Sequence, residues 1–138
     1  MSERPEKTAT VLAWVRKAES DFRIAELALK AEPAECPFDA VCFHAQQIVE
    51  KYLKALLSYR DIHFRKVHDI EELMQLFPLS LKPPIDAKEQ DMLTGYVSTG
   101  RYPGLPADPG AEEAREAMVI ARQVRDWART LLPDTVLP

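Results

Sequence analysis

The segment Phe38-Asp39-Ala40-Val41-Cys42-Phe43-His44-Ala45-Gln46-Gln47-Ile48-Val49-Glu50-Lys51-Tyr52-Leu53-Lys54-Ala55-Leu56-Leu57 decides the fold. Phe38, Val41, Ala45, Ile48, Tyr52 and Ala55 follow one another at steps of three and four, the repeat of one face of an α-helix. Cys42, Val49, Leu53, Leu56 and Leu57 widen that face. A helix this apolar is expected to be buried on more than one side and to form the central element. Pro37 suits a first helical position, where its missing N–H removes no bond.

Upstream, Val11, Val15, Ala18, Phe22, Ala25 and Leu29 repeat in the same way, which predicts an amphipathic helix of about five turns. Thr8 or Thr10 is expected to cap it, and Pro33 blocks its continuation. Downstream, a basic loop from Arg60 to Val67 leads to a short helix expected over Asp69 to Phe77, ended by Pro78. Asp69 and Glu72 have the spacing of a capping pair. After the break at Pro83 and Pro84, Asp86 is expected to cap a helix reaching about Val97, with Met92, Leu93 and Tyr96 on its inner face. Gly100 to Gly110, with three glycines and three prolines, is the clearest loop. Asp108 and Pro109 are then expected as cap and first residue of a last helix. Its early Glu112 and Glu113 suit the positive end of the helix dipole. Met118, Ala121, Val124, Ala128 and Leu131 carry its seam until Pro133.

Three long and two shorter helices on short loops predict an all-α, antiparallel up-and-down helical bundle, one domain over residues 1–138. The composition agrees: 46% apolar and 29% charged residues suit a folded core, and four glycines against 11 prolines favour helices with abrupt stops. The breadth of the apolar face on the second helix also predicts a homodimer.

A formal charge of −4 gives no global attraction to nucleic acid or anionic membrane. Between Lys51 and His68, however, five cations (Lys51, Lys54, Arg60, Arg65, Lys66) face one acid, Asp61. That run reads either as a solvated face or as a binding surface. Cys36 and Cys42 have no zinc-ligand spacing, and with Pro37 between them they are poorly placed for a disulfide. A reduced, cytoplasmic setting is expected. The charged start, Met1 to Thr10, lacks the apolar core of a signal peptide, and no run is long enough to span a membrane.

His44, Gln47, Lys51 and Lys54 recur at three, four and three, one polar stripe beside the apolar seam. The stripe reads as the floor of a nucleotide or RNA cleft, or as a hydrogen-bonded dimer rim. His68 could act at the same site or assist the cap of the short helix. Arg101 could bind phosphate or anchor its loop on helix-end carbonyls. Trp14 and Trp127 read as core or interface anchors. With no pair of histidines four residues apart, a metal site from His44, His63 and His68 is not expected, and no cofactor is called for.

Several of these segments together resemble the HEPN family (higher eukaryotes and prokaryotes nucleotide-binding). They are Phe43-His44-Ala45-Gln46-Gln47 with Glu50-Lys51 and Leu53-Lys54-Ala55-Leu56-Leu57, then His68-Asp69-Ile70 with Leu73, and Gly100-Arg101-Tyr102-Pro103. Ala18-Glu19-Ser20-Asp21-Phe22, followed by Ala25 and Leu29, fits the first helix. The resemblance implies a helical bundle that usually dimerises and whose prokaryotic members often sit beside a minimal nucleotidyltransferase, many pairs acting as toxin and antitoxin. It further implies that toxic members are metal-independent ribonucleases built on an Arg-x(4–6)-His motif, two copies meeting across the dimer. In one subgroup a tyrosine just after that motif receives adenylate from the partner, which would place the acceptor at Tyr102 here. A packed loop aromatic is the other reading of that residue.

The motif itself is missing. Arg101 is followed by Tyr102, Pro103, Gly104, Leu105, Pro106, Ala107 and Asp108, and no histidine occurs after His68. Arg60 to His63 and Arg65 to His68 have two intervening residues, and Arg60 to His68 has seven. Metal-free RNA cleavage needs a general base at the 2′-hydroxyl and a cation on the phosphate, and Arg101 supplies only the second. The chain therefore reads as a non-catalytic nucleotide-, RNA- or partner-binding component of a HEPN–nucleotidyltransferase system. His44, Gln47, Lys51, His68, Arg101 and Tyr102 are the candidate ligand-binding residues. The rival is an atypical metal-independent ribonuclease with His44, His68 and Arg101 composed across a dimer.

Overall fold

A computed structural model describes residues 4–97 and 109–138. The described residues form five α-helices and no strand: α1 (Pro5–Leu29), α2 (Phe38–Tyr59), α3 (Ile70–Gln75), α4 (Ala87–Gly95) and α5 (Ala111–Leu131), followed by a 3-10 turn at Asp134–Val136. The expected all-helical bundle is what is found.

α1 begins earlier than its apolar repeat. Arg4 is extended and Pro5 is the first helical residue, a position whose N–H has no intrahelical partner in any case. Neither threonine caps the helix, contrary to expectation. Thr8 already donates its N–H to the Arg4 carbonyl at 3.0 Å, and the Thr10 hydroxyl bonds back to the Glu6 carbonyl at 3.0 Å. The first turns are polar, so periodicity could not reveal them.

α2 starts one residue after Pro37, which stands at the cap position. Its C-terminus closes on a Schellman motif, with Ile62 N–H on the Leu57 carbonyl at 2.8 Å and Asp61 N–H on the Ser58 carbonyl at 3.2 Å. The residue that must turn left-handed there is Asp61, with φ 58°. Glycine is usual at that position because it has no Cβ. The Asp61 carboxylate is used instead, accepting from Arg4 at 2.7 Å and Lys7 at 3.2 Å at the start of α1.

The short helices follow their caps. Asp69 accepts from Glu72 N–H at 3.3 Å, but the Glu72 carboxylate turns away to Arg65, so only half of the expected pair forms on α3. On α4 both halves form: Glu89 N–H donates to Asp86 at 2.7 Å and Asp86 N–H to Glu89 at 2.9 Å. α4 ends at Gly95 rather than Val97, with Leu93 and Tyr96 buried and Met92 half-buried. α5 starts two residues later than expected. Pro109 lies outside it, and Gly110 is the cap, its N–H held by Glu113 at 3.0 Å. Asp108, the expected cap, lies outside the described residues.

Ion pairs fix the directions. Arg4 and Lys7 meet Asp61 while Asp21 meets His44 and Lys51, so α1 and α2 are antiparallel. Glu26 meets Arg122 and Glu19 meets Arg125, so α5 is also antiparallel to α1 and runs in the same sense as α2. α5 therefore starts at the same end of the bundle as α2. From Ala45 to Leu57 every α2 residue except Lys51 is buried. α1, α5, α3 and α4 all pack on α2, so its wide apolar face is covered within one chain. The reasoning that this face needs a second copy is corrected by that burial. The large apolar residues left open lie elsewhere, among them Ile24 and Leu27 on α1, 45% and 60% exposed.

Candidate functional site

The polar stripe of α2 is not a free floor. It divides into two clusters, each built on a carboxylate that the stripe does not contain. In the first, Asp21 of α1 holds His44 and Lys51, which α2 presents two turns apart. Its Oδ1 lies 2.7 Å from His44 Nδ1 and its Oδ2 accepts from Lys51 Nζ at 2.5 Å. An ionised carboxylate only accepts, so this contact puts an imidazole proton on Nδ1 and turns the Nε2 edge away from Asp21. The Asp21 side chain is 9% exposed and that of His44 21%, and Phe43 meets the His44 ring edge-on.

The second cluster surrounds Glu50, whose side chain is 2% exposed. Lys54, one turn on, donates to Glu50 Oε2 at 3.0 Å and to the Val67 carbonyl at 2.8 Å. The same ammonium lies 5.2 Å from the ring centre of Trp14 and 5.9 Å from that of Phe64. Gln46 donates to Glu50 Oε1 at 3.1 Å and to the His68 carbonyl at 3.2 Å, while its own oxygen accepts from Gln47 at 2.6 Å. His68 closes the set with Nδ1 3.0 Å from Glu50 Oε1. Its side chain is 66% exposed. His68 is therefore not the cap of α3, a role taken by Asp69; backbone and ring both tie the basic loop to α2.

A third network joins the three long helices. Glu19 of α1 accepts from Arg125 at 2.7 and 2.8 Å and from the Tyr52 hydroxyl, which also accepts from Arg129 at 3.2 Å. Burial disfavours the Glu19 anion, but hydrogen bonds from Arg125 and Tyr52 and the charges of Arg125 and Arg129 outweigh it, holding the carboxyl below its usual range. Burial, and then the neighbouring Glu19, push the Tyr52 hydroxyl well above the normal phenol value. Tyr52 is thus a structural donor and no acid or base near neutrality. Arg125 also stacks on Phe22, 4.3 Å from its ring centre.

These contacts change the charge reading. Lys51 and Lys54 turn to Asp21 and Glu50, and Arg65 pairs with Glu72. That leaves Arg60 and Lys66 as the exposed cations of the basic run with no ion pair among the described residues. Trp14 and Trp127 are partly buried anchors, tilted against Phe64 and Phe77 at 6.2 and 6.3 Å. Cys36 and Cys42 are free thiols.

Of the six candidate ligand residues, the structure brings His44 and Lys51 together on Asp21 and sets Gln47 and His68 in the Glu50 cluster. Arg101 and Tyr102 lie outside the described residues. No cluster of three metal-ligating side chains and no helix able to cross a membrane is found among the described residues. Sequence reasoning missed Glu19, Asp21 and Glu50 as site residues. Asp21 carried a signal: it stands three after Ala18 and four before Ala25, an acid on the apolar seam of α1. An acid buried on such a seam requires a cationic or donor partner.

The arrangement offers two imidazoles with fixed Nδ1 protons, each backed by a carboxylate and a lysine. No curated protein and no solved structure matches the chain. The family model described as "HEPN domain" matches residues 11–131. That span runs from the first apolar turn of α1 to the last residue of α5, and the chain belongs to the HEPN family.

Proposed function

We propose that the chain, as one domain over residues 1–138, is a binding component of a HEPN–minimal nucleotidyltransferase system of the toxin–antitoxin kind, engaging a nucleotide, an RNA or its protein partner without cleaving RNA. The observation that carries this reading is the spacing of the sequence: no histidine stands five to seven positions beyond Arg101, and none follows His68. The polar clusters support it. His44 and His68 present ring edges suited to hydrogen bonding, while the nearby lysines are held in ion pairs. Arg101 would supply phosphate contact and Tyr102 a stacking surface.

The reading is tested by incubating the purified chain with single-stranded and structured RNA in excess chelator, and by co-expressing it with the nucleotidyltransferase of a neighbouring gene. Co-purification and salt-sensitive ligand binding, weakened by Arg101→Ala without turnover, are expected. Metal-free cleavage abolished by both Arg101→Ala and His68→Ala, with the fold intact, would overturn it.

One observation favours the rival. Each carboxylate–imidazole pair is what a general base requires, an oriented ring with a defined tautomer. An atypical ribonuclease would use His44 or His68 with Arg101, composed across a homodimer. The same assay decides between the readings. A homodimer is part of both, and the open Ile24 and Leu27 make α1, the helix beside α2, its proposed face.

A further inference from the structure

Between the end of α1, the start of α2 and the first half of α5 lies a cleft of about 420 Å³. That volume is within the roughly 300–1,000 Å³ range of small-molecule pockets. Leu29, Phe38, Met118 and Val119 make apolar walls, and Val119 is 50% exposed. Arg115, Val119 and Arg122 recur at four and three along α5, so two guanidiniums flank the apolar wall on one helix face.

The sign of the cleft separates it from its neighbour. A larger cleft of about 740 Å³ between α4 and α5 shares Arg115 and Val119 but carries Glu89, Glu112 and Glu116 against Lys88. Among the described residues no carboxylate lines the smaller one. Arg122 is engaged with Glu26 at 2.9 Å in an open, weakly stabilising pair. Arg115 has no ion-pair or hydrogen-bond partner among the described residues. A guanidinium beside apolar walls holds a carboxylate through paired N–H bonds. Apart from the two arginines the only polar side chain lining it among the described residues is the Cys36 thiol, so these residues offer no hydroxyl or amide with which to read a base or a ribose.

We infer that this cleft binds an amphiphilic carboxylate, its apolar body against Leu29, Phe38, Met118 and Val119 and its head group on Arg115, with Arg122 beside it. This site is separate from the His44 and His68 clusters and does not depend on the function proposed for them.

The cleft also contains its own reporter. Cys36 lines it and is partly exposed, whereas Cys42 is buried, with its thiol pushed up to about 12 by that burial. Alkylation at mildly alkaline pH therefore reads Cys36 alone.

The test uses the full chain and decanoate below its micellar concentration, followed by calorimetry and by the rate of Cys36 alkylation with iodoacetamide. Saturable one-to-one binding is expected, with alkylation slowed in proportion to occupancy. Arg115→Ala should weaken binding about tenfold or more, as should decanol in place of decanoate. Val119→Glu should weaken it likewise, and both variants alter exposed positions, so helical content and Tm should hold. The proposal fails if decanoate does not saturate, if Arg115→Ala binds decanoate as tightly as the parent, or if AMP protects Cys36 better than decanoate does.

Discussion

His68 places Nδ1 3.0 Å from Oε1 of Glu50, so an imidazole that is 66% exposed ends on a carboxylate that is 2% exposed. The carboxylate's other oxygen is held by Lys54, 6% exposed, which makes Glu50 the shared anion of a buried pair and a surface ring. The two partners of Glu50 differ in what their loss exposes. Without His68, Glu50 still has Lys54 and Gln46; without Glu50, the Lys54 ammonium stays buried with only a carbonyl and two ring faces.

Glu50→Ala should therefore destabilise the fold by about 3–5 kcal/mol, the usual cost of stranding one member of a buried ion pair. His68→Ala should cost about 0.5 kcal/mol or less, as an exposed substitution does. Replacing the pair together, Glu50→Leu with Lys54→Met, should cost less than Glu50→Ala alone. Urea unfolding of the four proteins measures this, and a Glu50→Ala midpoint equal to the parent's would refute it.

Glu19 sets part of the acid limb of stability. Its folded pKa lies below the ordinary 4.5, so its stabilising contribution is complete above about that pH and is lost as pH falls through the lowered folded value. Glu19→Gln should be less stable than the parent at pH 7, and the gap should narrow toward pH 2. Thermal melts across that range give the curve; a gap that widens on acidification would contradict the assignment.

Asp61 supports a left-handed turn that its own Cβ disfavours. Asp61→Ala loses the contacts to Arg4 and Lys7 and keeps the strain, whereas Asp61→Gly loses the contacts and removes the strain. The glycine variant should be about 1 kcal/mol more stable than the alanine variant. The comparison needs only two denaturation curves, and equal stabilities would show that the turn relaxes in the alanine protein.

What the sequence made legible follows from the range of each interaction. The seams of α1, α2 and α5 were readable because helical periodicity is local, and so was the Asp86–Glu89 cap, whose partners are three residues apart. The start of α1 was not, because Pro5 to Thr10 carries no apolar repeat. The Gly110 start of α5 was hidden behind a proline that suited the first position equally well. For the site, His44 and Lys51 stood out by spacing on one helix. Their anion, Asp21, is 23 and 30 positions away, and Glu19 reaches Arg125 across 106. Contacts at that separation exist only once the helices pack. The coverage of α2 by four other helices was equally nonlocal, which is why a dimer was expected to supply what the chain supplies itself.

The open apolar pair on α1 gives the association prediction a defined target. If the homodimer uses that face, Leu27→Glu should shift the sedimentation coefficient to that of a monomer at concentrations where the parent is dimeric, with Tm nearly unchanged because Leu27 is 60% exposed. Val119→Glu, on α5, should leave the parent's state in place. Dimers persisting in the Leu27→Glu protein would exclude this face.

The buried polar line on α2, with Gln46, Gln47, Glu50 and Lys54 beneath a sheath of other helices, has a bearing on alignment. A purely aliphatic helix in such a sheath could slip lengthwise by a turn, about 5.4 Å, and still find greasy neighbours. Here the same slip would carry a carboxylate and an ammonium away from the Val67 and His68 carbonyls and the His68 ring, and into contact with methyl groups. The line works as a notch and pawl: it contributes little net attraction, yet it makes one axial setting of the central helix far cheaper than the next.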